Sequence, residues 1–261
     1  MKIAIIGSGY VGLVTGTCLS DFGLSVTCVD QDEQKIKMLN FGGVPIYEPN
    51  LEDLIQKNVS ADRLIFTADL EKAVKESKVI FITVGTPSND DGSANIAKIE
   101  KVAQQIACYL NDYKVIVNKS TVPIGTAAKI KKIINEYQSK FVISAKAGIH
   151  PSFPSPLRGE GRVRVKYPFD IASNPEFLRE GSAVYDFTHP DKVVIGTTSD
   201  RALKIMQEIY RPLYLIDTTF VITNPETAEL IKYACNAFLA TKIAFINPKG
   251  RIPRACPWMN E

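Results

Sequence analysis

Apolar and polar positions switch between two periods along the chain. Short β-branched runs, KIAIIG, SVTCVD, RLIFTAD and VIFITVG, are separated by stretches of helical period, one to about residue 21, one through KIKMLN and one near LEKAVKES. Runs of that length joined by helices predict parallel strands covered on both faces. The alternation goes on through a predicted helix at about 96–110, the strand KVIVNKS, a predicted helix at about 126–137 ending near Lys140, and the strands FDIAS and KVVIG. Near the end, Thr223 and Glu226 stand in capping-box spacing, with Pro225 at an early helical position. A long helix is predicted over 223–247, with Ala228, Leu230, Ile231, Ala234, Phe238 and Ile243 on its apolar side, stopping before Pro248.

The alternation fails over about 144–166, where Pro151, Pro154 and Pro156 lie among Gly148, Gly159 and Gly161 and neither apolar period survives. The basic residues Arg158, Arg162, Arg164 and Lys166 lack interleaved aromatics, so a disordered, solvated insertion is expected there rather than a phosphate or RNA patch.

Gly7-Ser8-Gly9-Tyr10-Val11-Gly12 follows the first strand directly and opens a helix. In G-x-G-x-x-G the first glycine permits the turn and the second lets the backbone approach a pyrophosphate. The third lets helix and strand pack closely, so that the helix N-terminus faces the phosphates. Asp30 closes the next strand, where a carboxylate can hydrogen-bond both ribose hydroxyls and repel a 2′-phosphate. The cofactor expected is NAD rather than NADP. The fold class expected is α/β, a doubly wound Rossmann-type parallel sheet with helices on both faces, over 1–222, followed by the long helix.

Other candidates sit where such a sheet binds ligands. Thr86 and Thr121 come at the carboxyl ends of two strands, although either could cap a turn. Glu176 in NPEFLREG also follows a strand, as a general base or as a carboxylate complementing a helix start. Lys232 and Asn236 are four residues apart on the long helix, fit to stabilise an oxyanion or to form a solvent-facing polar stripe. Lys35, on spacing alone, reads as a solvated helix lysine.

Composition narrows the partners. With 261 residues, 45% hydrophobic and 23% charged, the chain can bury a large core, and its net charge of +3 arises from interspersed signs. Neither nucleic acid nor a membrane surface is implied. The apolar start is too short for a signal peptide, and no run reaches the ~18 residues of a span, so a cytoplasmic location is expected. Five cysteines without C-x-x-C spacing read as buried, reduced thiols, and His150 and His189 do not suggest a metal site.

Taken in order, IAIIGSGYVGLVTG, VDQDEQKIKMLN, PIYEPNLEDLI, VGTPSNDDGSAN, KSTVPIGT, IASNPEFLREGSAVYDFTHPDKVVIG and TAELIKYACNAFLATKIAFIN resemble the UDP-glucose 6-dehydrogenase family, with GDP-mannose 6-dehydrogenase close behind. The resemblance covers about 1–247 apart from the insertion, and PSPLRGEGRVR looks like a translated repetitive DNA element. It implies oxidation of the C6 alcohol of UDP-glucose to a carboxylate with two NAD in turn. By motif, Gly7, Gly9, Tyr10, Val11, Gly12, Asp30, Lys35, Thr86, Thr121 and Glu180 would contact NAD. Glu176, Phe177, Leu178, Arg179, Glu180 and Lys232 would line the sugar nucleotide. Catalysis would fall to Glu176 as acid and base, to Lys232 and Asn236 at the oxyanion, and to Thr121. The 223–247 helix would begin a central dimerisation region and support a homodimer. The family also needs a nucleophilic cysteine in a glycine-rich stretch, which PKGRIPRACPWMNE does not offer around Cys256. The expectation is thus a truncated chain, with 248–261 unmatched and the UDP-binding C-terminal domain absent, inactive alone or a noncatalytic NAD-binding remnant.

Overall fold

β-Branched runs bounded by turns become strands, and the stretches of helical period cross between them. The computed structural model describes residues 1–147 and 166–249. In chain order these are β1 (Lys2–Ile6), α1 (Tyr10–Asp21), β2 (Ser25–Val29), α2 (Glu33–Asn40), α3 (Leu51–Ser60), β3 (Leu64–Thr67), α4 (Leu70–Glu76), β4 (Val79–Ile82), α5 (Ala97–Tyr109), β5 (Lys114–Asn118) and α6 (Thr126–Ala147). There follow β6 (Phe169–Ser173), α7 (Ala183–Thr188), β7 (Lys192–Gly196), α8 (Asp200–Ile209), a 3-10 turn (Arg211–Ile216), β8 (Thr219–Thr223) and α9 (Pro225–Lys249).

The strands form one sheet in the order β3-β2-β1-β4-β5-β6-β7-β8. All neighbours pair in parallel except β6 and β7, which meet through Ser173 and Gly196 in the antiparallel sense. The chain winds outward from β1 to β3, then returns to place β4 on the other side of β1. That reversal opens a crevice at the carboxyl ends of β1 and β4. Alternate residues of β1 enter two cores: Ile3 and Ile5 belong to the cluster that also holds side chains of α1, α3 and α8, and Ala4 and Ile6 to the one that holds those of α4, α5 and α6. Burial on both faces is why these strands read as continuous apolar runs rather than alternating ones.

Three expectations about elements change. The helix expected to end near Lys140 runs to Ala147, because no glycine or proline interrupts FVISAKA before Gly148; residues 144–147 are therefore helical rather than part of an irregular insertion. The rest of that expected insertion, Lys166 excepted, lies outside the described residues, as does Cys256. Thr223 is not the cap of the long helix: it ends β8, and the Asn224 side chain accepts the Thr227 N–H at 2.8 Å. The helix also passes Pro248, whose missing N–H removes one bond from a last turn that is already at its end.

Candidate functional site

The crevice is built from the turns that follow β1, β2, β4, β5 and β6. At the end of β1, Gly7 has φ +104 and its N–H donates to Val29 O at 2.8 Å, which fastens the turn to β2. A Cβ on Gly12 would stand 1.8 Å from Gly7 O and 2.8 Å from Thr83 Oγ1, so helix and turn touch backbone to backbone. A Cβ on Gly9 would meet nothing within 4 Å. One glycine is thus needed for packing, while the other faces space that a pyrophosphate can enter, beside the free N–H groups of the first turn of α1. The residues present fit a dinucleotide.

Asp30, just past β2, accepts the Ser8 N–H at 3.0 Å and the Asp32 N–H at 3.1 Å, and Lys35 Nζ lies 2.9 Å from its Oδ2. Burial pushes the Asp30 carboxyl up, but these donors together outweigh it and hold the group below the usual carboxylate range. Lys35, which spacing alone made a solvated lysine, is the ion-pair partner of Asp30. Its ammonium leaves less negative potential around that carboxylate than a bare Asp30 would.

Across the crevice, Thr83 donates to Ile6 O and Gly7 O at 3.0 and 2.8 Å, locking β4 to the glycine turn. Thr86 donates to Thr121 O at 2.8 Å, which brings the two expected threonines together. Thr121 and Lys232 in turn line one small polar pocket with Asn118, Ser173 and Glu229. Asn118 Oδ1 is buried there without a hydrogen-bond partner.

Glu176 and Lys232 meet as an ion pair of 2.9 Å with side chains only 13% and 9% exposed. The second Glu176 oxygen accepts the Leu178 N–H at 2.6 Å. Phe177 lies beneath two ammonium groups, Lys192 and Lys232, at 4.8 and 5.3 Å from its ring centre. Arg179 points away and grips Asp186 through both its guanidinium and its backbone N–H. Glu180 and Asn236 are exposed, with no hydrogen bond from either side chain among the described residues. Asn236 therefore shares a face with Lys232 but lies one turn further out.

Four residues of the site were not legible in the motifs. Lys119, one residue past β5, is buried and donates to Asn174 Oδ1 at 3.2 Å; Asn174 also accepts from Tyr210 at 2.5 Å and donates to Val194 O at 2.8 Å. Glu229 accepts the Gly125 and Ala127 N–H groups at 2.7 and 2.8 Å, so a side chain of α9 caps the start of α6 and fixes Lys232 in depth. Burial raises the Glu229 carboxyl despite those donors. Thr83 directly follows β4, a position that signals little by itself. Glu48 lies in the quoted PIYEPN but finds partners more than a hundred residues away.

Burial lowers Lys119 from 10.5 to about 8; the neighbouring Glu176 opposes the shift and Lys232 adds to it. The unfolded chain thus binds more protons than the folded one between pH 8 and 10.5, and stability must rise with pH across that window. Below it, the buried charge costs about 3 kcal/mol. Lys119→Met is expected to flatten that rise when unfolding curves are compared at steps from pH 7 to 10.5. Parallel pH dependences for the two proteins would show that burial does not lower the Lys119 ammonium below its ordinary value.

Residues 1–214 match the model of the UDP-glucose/GDP-mannose dehydrogenase family, NAD binding domain, and residues 226–256 match that family's central domain. The chain belongs to the UDP-glucose/GDP-mannose dehydrogenase family. It is 46% identical over 251 residues to the UDP-glucose 6-dehydrogenase of Bacillus subtilis, covering 96% of this chain and 48% of that one. Among solved structures, a UDP-glucose dehydrogenase from Pyrobaculum islandicum superposes with a TM-score of 0.81 at 34% identity, covering 95% of this chain and 52% of that one. A GDP-mannose dehydrogenase from Pseudomonas aeruginosa does so with 0.80 at 36%, with the same coverage. The chain spans about half the length of these relatives. As a member of the UDP-glucose/GDP-mannose dehydrogenase family, with residues 1–214 matching its NAD binding domain, it takes NAD as cofactor. Among the described residues no helix is long and apolar enough to cross a membrane.

Proposed function

We propose that residues 1–261 supply the NAD-binding half of a UDP-glucose 6-dehydrogenase, with UDP-glucose as the substrate and UDP-glucuronate as the product. The observation that carries it is the buried 2.9 Å pair of Glu176 and Lys232, which share the sheet edge with the glycine turn and Thr121. NAD supplies the hydride acceptor when bound. The chain's own groups bind and move protons: the Lys232 ammonium can donate to an oxygen that gains charge at C6, and Glu176, its partner, can take up a proton from a water or hydroxyl drawn in beside it. Asn236 would complete the oxyanion contact when substrate or a further segment covers the outer turn of α9.

The thiolate that resemblance to this family implies has no counterpart among the described cysteines. Burial pushes Cys18 and Cys28 up to about 12, which leaves them as neutral packing groups. Cys108 and Cys235 lie on α5 and α9, outside any glycine-rich stretch. A polypeptide of residues 1–261 is therefore expected to bind NAD but to give no sustained NADH absorbance with UDP-glucose. Sustained NADH formation that Cys256→Ser abolishes would overturn the proposal that the nucleophile is supplied from elsewhere. A noncatalytic NAD-binding role is the second reading, favoured by the buried, neutral state of Cys18 and Cys28, and it shares that outcome. Adding a polypeptide that carries the second half of a relative separates the two: NADH formation on mixing supports the first, and none supports the second.

We also assign α9 as the surface on which two copies pair. Phe238, Leu239, Ile243, Phe245 and Ile246 are between 51% and 66% exposed along it. An apolar stripe of that kind is normally covered by a partner.

A further inference from the structure

Glu48 lies in the turn before α3, where its carbonyl accepts the Leu51 N–H at 3.1 Å and Asn50 takes the left-handed conformation at φ 65. That turn aims the side chain inward, and the residue is only 6% exposed. Its carboxylate collects three donors from two distant parts of the chain. Tyr10 Oη donates to Oε2 at 2.6 Å, Gly181 N–H to the same oxygen at 2.8 Å, and Ala183 N–H to Oε1 at 2.7 Å. Tyr10 Oη also reaches Arg179 O at 3.2 Å. Burial and the adjacent Glu48 raise the Tyr10 hydroxyl, so it remains a donor across the physiological range.

The two groups joined in this way belong to the two sides of the crevice. Tyr10 is the first residue of α1, directly after the exposed Gly9, on the turn whose N–H groups face the pyrophosphate position. Gly181 and Ala183 close the segment that starts with Glu176 and leads into α7. We propose that Glu48 is a positioning residue that couples NAD at the glycine turn to the 176–183 segment, by holding Tyr10 and the two amides on one carboxylate. It rests on NAD occupying that turn. The physical basis is shared ordering. Hydrogen bonds to a desolvated carboxylate are about twice as strong as neutral ones, so fixing Tyr10 fixes the carboxylate, and the carboxylate fixes the amides. A ligand that orders the first turn of α1 thereby lowers the cost of ordering the segment that carries Glu176, and the linkage is reciprocal.

Amide hydrogen exchange at Gly181 and Ala183, measured on the full chain with and without saturating NAD, tests the coupling. NAD is expected to slow exchange at both amides by about 5-fold or more, the lower end of ordinary coupling between sites. In Glu48→Gln, with NAD again at saturation, the slowing should fall below about 2-fold. A purely structural role for Glu48 would speed exchange by the same factor with and without NAD and leave the NAD-dependent ratio unchanged; that result overturns the proposal. So does an unchanged exchange rate in the unsubstituted protein when titration shows NAD bound. Failure to bind NAD at all would overturn the cofactor assignment and the coupling together, which separates the two. Should circular dichroism show Glu48→Gln unfolded, Tyr10→Phe, which leaves both amides their acceptor, must lose the ratio instead.

Discussion

Gly12→Ala is expected to abolish NAD binding and to destabilise the fold by about 3 kcal/mol, the upper range of overpacking. The added Cβ would stand 1.8 Å from Gly7 O, a backbone atom that the hydrogen bonds from Thr83 and to Val29 hold in place. No side-chain rotation can relieve that contact, so α1 must move away from β1 and carry Tyr10 with it. Gly9→Ala is the informative companion, because its Cβ meets no protein atom. It should fold like the unsubstituted chain and yet bind NAD more weakly, since the methyl enters the space beside the phosphates. Thermal unfolding with NAD titration separates the two patterns. A Gly12→Ala protein that melts and binds like the original would mean that helix and turn are not in contact.

Lys232→Met should destabilise the chain by about 3 kcal/mol, because it leaves the Glu176 carboxylate buried without its cation. The loss stays at the low end of the range for broken buried pairs, since the Leu178 N–H remains on Glu176 and the Lys119 charge is near. Glu176→Gln combined with Lys232→Met should recover much of it, the double change removing both charges together. Denaturant unfolding of the single and double variants measures the coupling. Additive losses would show that the two side chains are not paired in solution.

The sheet was legible because its strands are buried on both faces, and runs such as IAII and VIFI have no other stable placement in a soluble α/β unit. β8 was not: TFVIT stands between a 3-10 turn and a long helix, and the capping-box spacing of Thr223 and Glu226 competed for its last residue. The end of α6 is not legible in the apolar period, because that period fades near Lys140 while the helix continues to Ala147, next to Gly148. In the site, the glycine turn and Asp30 were readable because their geometry is local. The roles of Glu48 and Glu229 were not, since each carboxylate is defined by amides supplied from another part of the chain, at separations of 133 and 104 residues for Gly181 and Gly125. Lys119 is illegible in the sequence for a related reason. It sits within the quoted KSTVPIGT, but only the approach of Asn174, Glu176 and α9 makes it an interior cation.

Calorimetric titration of residues 1–261 with NAD and with NADP tests the central claim, that the crevice between Gly7, Gly9, Gly12 and Asp30 is an NAD site. A 2′-phosphate placed at Asp30 meets a carboxylate that already accepts from Ser8, Asp32 and Lys35, and the Lys35 ammonium, held on Asp30, softens that repulsion without removing it. NAD is expected to bind at least about 10-fold more tightly than NADP, a difference of about 1.4 kcal/mol. Equal or tighter binding of NADP, or binding of neither, would contradict it.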